Sequence, residues 1–222
     1  MEMKNSGLNT VELIGHYGSD ETHALSAWTS TSRDLTCDKR DRIPRLLKML
    51  AEASHETPFE KSSLHFLVTT DVASHIHLVK HRVGVSVNAE SARYKELKDD
   101  KYYVPHDWDE EEKELYCRHL EVSLRSYHET LERLVSKGVP RKRAKESARL
   151  YLPYGNQITA DVMFNFRSFV HFLRLRYSRH AQLEIREVAR DMLHLVKGTG
   201  AFDASLESFG LTTAGVVREP FE

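Results

Sequence analysis

In the stretch FNFRSFVHFLRLRYSRHAQLEIREVAR the apolar residues Phe164, Phe166, Phe169, Val170, Phe172, Leu173 and Leu175 leave little helix surface for solvent, yet basic residues keep interrupting the run. At helical spacing Arg167, His171 and Arg174 share one line at i, i+4 and i+7, while Asn165, Arg176 and His180 fall near another at i, i+11 and i+15. A guanidinium taken out of water must be compensated, so protein carboxylates such as Glu184, or ligand phosphates, have to face these arginines. A second group is Lys80-His81-Arg82, set at a helix end and followed by SVNAESARY, read as a turn holding Ser86, Asn88, Ser91 and Arg93. Hydroxyls and backbone N–H groups there can take phosphate oxygens while an arginine grips a pair of them; the bland alternative is cations complementing a helix dipole. The third piece, SHETPFE, places His55 and Glu60 around a turn fixed by Pro58, and is otherwise a plain helix exit.

Positioning these side chains requires a scaffold, and the hydrophobic periodicity supplies one. A strand is expected at 10–14, then loop and uncertain helix over the polar stretch 18–34. Ile43, Leu46, Leu47 and Leu50 repeat at helical spacing and predict a helix that follows Asp41 and ends near Ser54. LHFLVTT (64–70) reads as a strand, and Asp71 opens an amphipathic helix with Val72, Ile76 and Val79 along its stripe. Residues 91–109 suggest short extended pieces ending at Pro105. The longest helix follows, capped by Asp107 and running to about Lys137, with Leu120, Leu124, Tyr127, Leu131 and Leu134 buried and Gly138 as its stop. Pro140 opens a further helix through Leu150; residues 151–166 are ambiguous between helix and strand, and helices are expected at about 165–178 and 181–197. The sum is an α+β protein, a single domain over 1–222 with long helices around a modest mixed or antiparallel sheet.

Composition narrows the function classes. The chain has 222 residues, 40% hydrophobic and 29% charged, the profile of a globular protein with a real core. A formal net charge of -1 gives no broad footprint for nucleic acid or an anionic membrane, so an anion site must be local. Cys37 and Cys117 are isolated and lack CxxC spacing, none of the 13 histidines sits in a zinc pattern, and no metal ligand set is expected. No apolar run approaches the length of a membrane span, and the amino terminus lacks a basic-then-apolar leader, so a cytoplasmic location is expected.

Taken in order, these segments resemble the flavin-dependent thymidylate synthase family from about Ser54 to Ile185. The family signature is an Arg-His-Arg triplet followed at a short fixed distance by Ser, present here as Lys80-His81-Arg82 with Ser91, and both SHETPFE and NFRSFVHFLRLRYSRHAQLEIR follow family patterns. The resemblance implies that His55, Thr57, Glu60, Asn165, Arg167, His171 and His180 contact the flavin and that Lys80, His81 and Arg82 contact flavin and nucleotide. It places His77, Glu90, Ser91, Ala92, Arg93 and Arg149 on the nucleotide side, and gives Arg176 the catalytic task of holding the pyrimidine in its ionised, activated form. It further implies a homotetramer with shared active sites. Four departures stand out: Lys80 exchanges a planar fork for a point charge, the interval from Arg82 to Ser91 is one residue longer than usual, Ala89 with Glu90 stands where a glutamate is frequent, and His77 and His171 replace Gln and Asn.

The implied reaction is methylation of dUMP at C5, with carbon from methylenetetrahydrofolate and hydride passed from NADPH through FAD. Neither LTCDK nor LYCRH resembles the Pro-Cys nucleophile of the cysteine-dependent route. The nearest rival reading is the same chemistry on UMP or another uridine nucleotide, and a remote one is a helical phosphate- or nucleic-acid-binding protein. Because a serine hydroxyl without a base is a poor nucleophile, Ser91→Ala is expected to weaken nucleotide binding while leaving measurable turnover; steady-state assays with direct nucleotide titration check this, and lost turnover with intact binding would reverse the assignment.

Overall fold

The computed structural model of the chain describes residues 7–32, 34–96 and 101–222. Its elements run β1 (Thr10–Tyr17), α1 (Asp20–Trp28), α2 (Cys37–Asp41), α3 (Ile43–Glu52), a 3-10 turn at Thr57–Glu60, β2 (Ser63–Asp71), α4 (Val72–Val79), β3 (Val85–Ala89), α5 (Glu110–Ser136) and α6 (Arg141–Ala148). After a second 3-10 turn at Arg149–Tyr151 come β4 (Gln157–Asn165), α7 (Phe166–Arg176), α8 (Leu183–Gly198), α9 (Asp203–Ser208) and the short strands β5 (Thr212–Thr213) and β6 (Val216–Val217). The four longer strands form one sheet in the order β1-β2-β4-β3, and β5 pairs antiparallel with β6. This is the expected α+β architecture.

The chain divides into two compact units. One comprises Val11–Val68, Leu78–Val87 and Asp161–Glu222. Its core follows from alternation along the strands: Leu64, Phe66 and Val68 of β2 and Val162 and Phe164 of β4 point to one face and are fully buried. Helix α7 lays Phe169 and Phe172 on that face, with Phe66 and Phe169 rings stacked at 5.8 Å and Phe164 and Phe172 at 5.3 Å. A buried polar relay sits beside this core. Asp20 accepts hydrogen bonds from the N–H groups of Ala204 and Ser205 and from Ser205 Oγ. With the Ser205 proton so engaged, His23 Nδ1 donates to Ser205 Oγ at 2.9 Å, and His23 Nε2 accepts from Ser62 Oγ at 2.8 Å.

The other unit comprises the described residues up to Thr10, Thr69–His77 and those of 88–160. Here Leu120, Leu124, Tyr127 and Leu131 of α5 pack with Tyr102 and with Ala144 and Ala148 of α6. Asp71 accepts from the Ser74 N–H at 2.8 Å, opening α4 as the sequence suggests. Glu90 N–H donates to Thr159 O, and in return the Thr159 N–H donates to Glu90 Oε2 at 3.0 Å, so the side chain completes the β3 pairing where the strand stops.

Several local expectations change. The cap of α5 is Asp109, which accepts from Glu112 N–H, rather than Asp107. The segment after Gly84, read as a turn, is a strand until Ala89, because Val85 and Val87 alternate with polar residues and β4 offers it a partner; the turn begins only at Ala92. On α4 the buried residues are Ser74 and Leu78, whereas Ile76 and Val79 are 37% and 36% exposed, so the apolar stripe read from sequence lies on the wrong face. Residues 157–165 resolve into β4, and α7 stops at Arg176, which leaves Asn165 as its cap and His180 beyond its end instead of on a common line. Of the extended pieces expected over 91–109, residues 97–100 lie outside the described residues.

Burial pushes the His23 imidazole down to about 4 from an ordinary 6.5. The unfolded chain protonates it near the ordinary value, so between those limits the unfolded state holds more protons; stability is full above about 6.5 and falls as pH drops toward 4, by as much as roughly 3 kcal/mol. Chemical denaturation at about pH 7.5 and about pH 5 checks this, and His23→Gln is expected to be less stable at the higher pH but much flatter between the two. An unchanged slope in the variant would place the acid sensitivity elsewhere.

Candidate functional site

Helix α7 begins with a clamp. Asn165 caps it by accepting from the Ser168 N–H at 2.8 Å, and Ser168 Oγ donates to Val83 O at 2.6 Å. The Asn165 N–H donates to Gly84 O at 2.9 Å. The loop leaving Lys80-His81-Arg82 is thereby tied to the first turn of the arginine-bearing helix. Gly84 has a φ of +64°, and a Cβ on it would run into Asn165 Nδ2 and Ser168 Oγ, so backbone shape and close approach both demand glycine there.

On either side of this clamp lie two cavities that share Val83, Ser168 and His171. One, of about 280 Å³, is lined by Lys80, His81, Arg82, Val85, Leu175 and Arg176 besides the shared residues. His81 is buried, its ring edge-on to Phe172 at 5.1 Å and to His171 at 5.9 Å, and its Nε2 accepts from Arg176 Nε at 3.1 Å. This contact sets the guanidinium against a ring nitrogen rather than a carboxylate. Burial pushes the Arg176 guanidinium down from its usual value, the sign of a cation whose solvent has been removed without a carboxylate to replace it.

The other cavity, of about 250 Å³, is lined by Glu56, Glu60, Arg167, Val170, Arg174 and Phe209 besides the shared residues. Arg167 donates to Glu60 Oε1 at 2.5 Å and to Glu56 Oε2 at 2.8 Å, and these carboxylates, Glu60 foremost, hold its guanidinium above the usual range. Arg174 stands over the Phe209 ring at 5.6 Å. Among the described residues Lys80, Arg82, Arg174 and Arg176 enter no ion pair, whereas Arg167 enters two. Glu184, expected as an arginine partner, instead accepts from Gln182.

The unit therefore brings together Glu60, Lys80, His81, Arg82, Arg167, His171 and Arg176. His55, Thr57, Asn165 and His180 belong to the same unit but line neither cavity. His55 and Thr57 are exposed at the exit of α3, Asn165 is engaged as a cap, and His180 is exposed in the turn after α7. The other unit holds His77, half-buried on α4, and the segment with Glu90, Ser91, Ala92 and Arg93. In that segment Lys95 donates to Glu90 at 2.8 Å, Ser91 Oγ accepts from the Arg93 N–H at 3.2 Å, and Arg93 pairs with Glu146 at 2.6 Å. Arg149 is exposed at the end of α6, in the same unit. The sequence reading missed Glu56, Arg174 and Phe209 as cavity walls. Arg174 was visible on the line of Arg167 and His171, and Glu56 as an acid one helical turn before Glu60; Phe209 had no sequence signal.

Comparisons with known proteins identify the family and the fold. The family described as thymidylate synthase complementing protein matches residues 12–199. A flavin-dependent thymidylate synthase from Streptomyces avermitilis is 31% identical over 75% of this chain and 74% of its own length. One from Pseudothermotoga lettingae is 29% identical over 84% of each. Among solved structures, a UMP/dUMP methylase from Streptomyces cacaoi bound with 5-Br dUMP superposes with a TM-score of 0.76 at 28% identity, covering 95% of this chain and 97% of that one. The same methylase bound with 5-Br UMP gives 0.74 at 26%.

Gly84→Ala forces a strained φ and pushes the loop off the start of α7. The expected result is a loss of roughly 1–2 kcal/mol in stability together with weaker binding of any ligand spanning the two cavities, read by thermal unfolding and ligand titration. A variant as stable and as competent as wild type would contradict the clamp.

Proposed function

The chain belongs to the flavin-dependent thymidylate synthase family, and from that premise we propose that it transfers a one-carbon unit to C5 of dUMP and reduces it to the methyl of dTMP. In this reading methylenetetrahydrofolate supplies the carbon, NADPH the electrons, and the active assembly is a cytoplasmic homotetramer with shared sites. The observation that carries the proposal is the set of cations without carboxylate partners among the described residues, Lys80, Arg82, Arg174 and Arg176, gathered around two adjoining cavities. Unbalanced positive charge with apolar walls of Val83, Val170 and Phe209 suits a ligand that combines phosphates with a flat ring, which fits a flavin nucleotide and a pyrimidine nucleotide alike.

Glu60, Lys80, His81, Arg82, Arg167 and His171 would hold the flavin, with His55, Thr57, Asn165 and His180 assigned to it by the family resemblance. Bound flavin would supply the hydride that completes the methyl group. The chain's own contribution is position and field. Arg176 projects from the last turn of a helix fixed by its phenylalanines, so its charge is in place before the pyrimidine gains electron density, and a preorganised charge in a desolvated wall is worth more than one in water. The Nε2 of His81 accepts from the guanidinium and helps to position it. The residues of the other unit, His77, Glu90, Ser91, Ala92, Arg93 and Arg149, are assigned to the nucleotide. The Arg93–Glu146 pair is exposed, so exchanging its carboxylate for a phosphate costs little.

A second reading is favoured by the solved methylase of both UMP and dUMP, which this chain resembles over nearly its whole length. The same site would then accept a ribose 2′-hydroxyl. Discrimination is weak in a pocket that merely has room for a hydroxyl and strong in one that bonds to it, so the ratio of kcat/KM for dUMP and UMP decides between the readings.

Arg176→Ala is the direct test of the catalytic assignment. The variant is expected to fold and retain flavin, seen as its visible absorbance, while turnover drops by a factor on the order of a hundred or more. Turnover at the wild-type rate would remove Arg176 from the reaction.

A further inference from the structure

Helix α3 has two differentiated faces. Ile43, Leu47 and Leu50, at i, i+4 and i+7, are buried within their unit. A different line, Arg42, Arg45, Leu46 and Met49 at i, i+3, i+4 and i+7, joins Trp28 of α1 around a cavity of about 400 Å³. Met49 is 53% exposed. Trp28 is half-buried, with Lys39 Nζ 5.2 Å from its ring centre and Lys39 itself fixed by Asp34 and the Ser32 carbonyl. An indole, a leucine and a thioether thus form an apolar floor with two guanidiniums at its rim. Neighbouring cations have acids, in the pairs Lys39–Asp34, Arg40–Glu21 and Lys48–Glu52. Among the described residues Arg42 and Arg45 have none. Arg45 also borders a second hollow of about 440 Å³ with Lys48, Glu207, Ser208, Thr212 and Thr213.

We propose that this face of α3 binds the phosphorylated adenosine half of the dinucleotide reductant, an assignment that rests on the reading of the chain as an enzyme supplied with electrons by NADPH. The purine lies on Trp28 and Met49, and the phosphates are taken by Arg42 and Arg45. A flat base stacks on an aromatic face without demanding sequence-specific hydrogen bonds. Two planar forks one helical turn apart match two phosphates borne by a single ribose, and the volume falls within the range of small-molecule sites. A folate presents the same general chemistry, a flat ring with an anionic tail. Its charges, however, lie beyond a rigid aryl spacer, away from the ring, whereas Arg42 and Arg45 stand immediately beside the Trp28 floor.

The test is calorimetric titration of the flavin-loaded protein with adenosine 2′,5′-bisphosphate, for wild type, the double variant Arg42→Gln/Arg45→Gln, and Trp28→Leu. Both arginines are exposed, so folding is expected to survive, with the flavin spectrum and dUMP affinity as controls in the same samples. The account predicts saturable one-site binding to wild type and a Kd about tenfold or more higher in the double variant, equivalent to roughly 1.4 kcal/mol. It also predicts weaker binding in Trp28→Leu. Absence of binding to wild type, or an equal Kd in the double variant, would overturn it. So would pyrophosphate competing as well as the bisphosphate, which would mean a bare anion patch, or a pteroyl oligoglutamate being the ligand that loses affinity in its place. If flavin and uridine nucleotides fail to bind while the bisphosphate still binds through these arginines, the enzymatic reading falls and the adenosine site stands.

Discussion

Phe169 and Phe172 of α7 lie against Phe66 and Phe164 of the sheet, ring centre to ring centre at 5.3–6.0 Å, and this contact fixes which way every other residue of the helix points. With one face of α7 committed to aromatic packing, Arg167, His171, Arg174 and Arg176 are driven to the remaining surface, where Lys80, His81 and Arg82 also arrive. The hydrogen bonds from Ser168 to Val83 and from Asn165 to Gly84 keep those two groups at a constant separation. Core packing and site geometry are therefore a single constraint. A substitution that loosens the phenylalanines would be felt at Arg176 before it was felt as unfolding.

Charge balance gives the site its direction. Arg167 is satisfied twice over by Glu56 and Glu60. Among the described residues Arg176 enters no ion pair and meets the ring nitrogen of a buried histidine, Lys80 and Arg82 are exposed, and Arg174 stands over the Phe209 ring. Positive charge without carboxylate partners among the described residues thus gathers around His171. Two of the departures from the family pattern, Lys80 and His171, fall at this same place. Lys80 offers a point charge where a fork is usual, and His171 brings a titratable ring to the wall common to both cavities.

Much of this was legible in the amino-acid sequence because the signals were local and repeated. The alternation of LHFLVTT, the i, i+4, i+7 spacing of α3 and the leucine line of α5 each report a period that burial later reproduces. The Lys80-His81-Arg82 and NFRSFVHFLRLR segments revealed the cation-rich walls because charges among phenylalanines have few structural reasons to exist. What was lost depended on tertiary partners. Val85–Ala89 becomes a strand only because β4 runs beside it, and Ile76 and Val79 face outward because Leu78 and Ser74 take the interior. His180 left the shared line once α7 ended at Arg176, and Phe209 reaches the site from the far end of the chain, where no spacing argument could connect it to Arg174.

The account's central claim, that these unbalanced cations hold a flavin and a uridine nucleotide together, is tested most directly by the visible spectrum of the purified protein loaded with FAD under anaerobic conditions. NADPH is added with dUMP, with UMP, or with neither. The account predicts bound flavin whose absorbance bleaches faster with a uridine nucleotide than without one, fastest with dUMP. A protein that takes up no flavin under any of these conditions would contradict it.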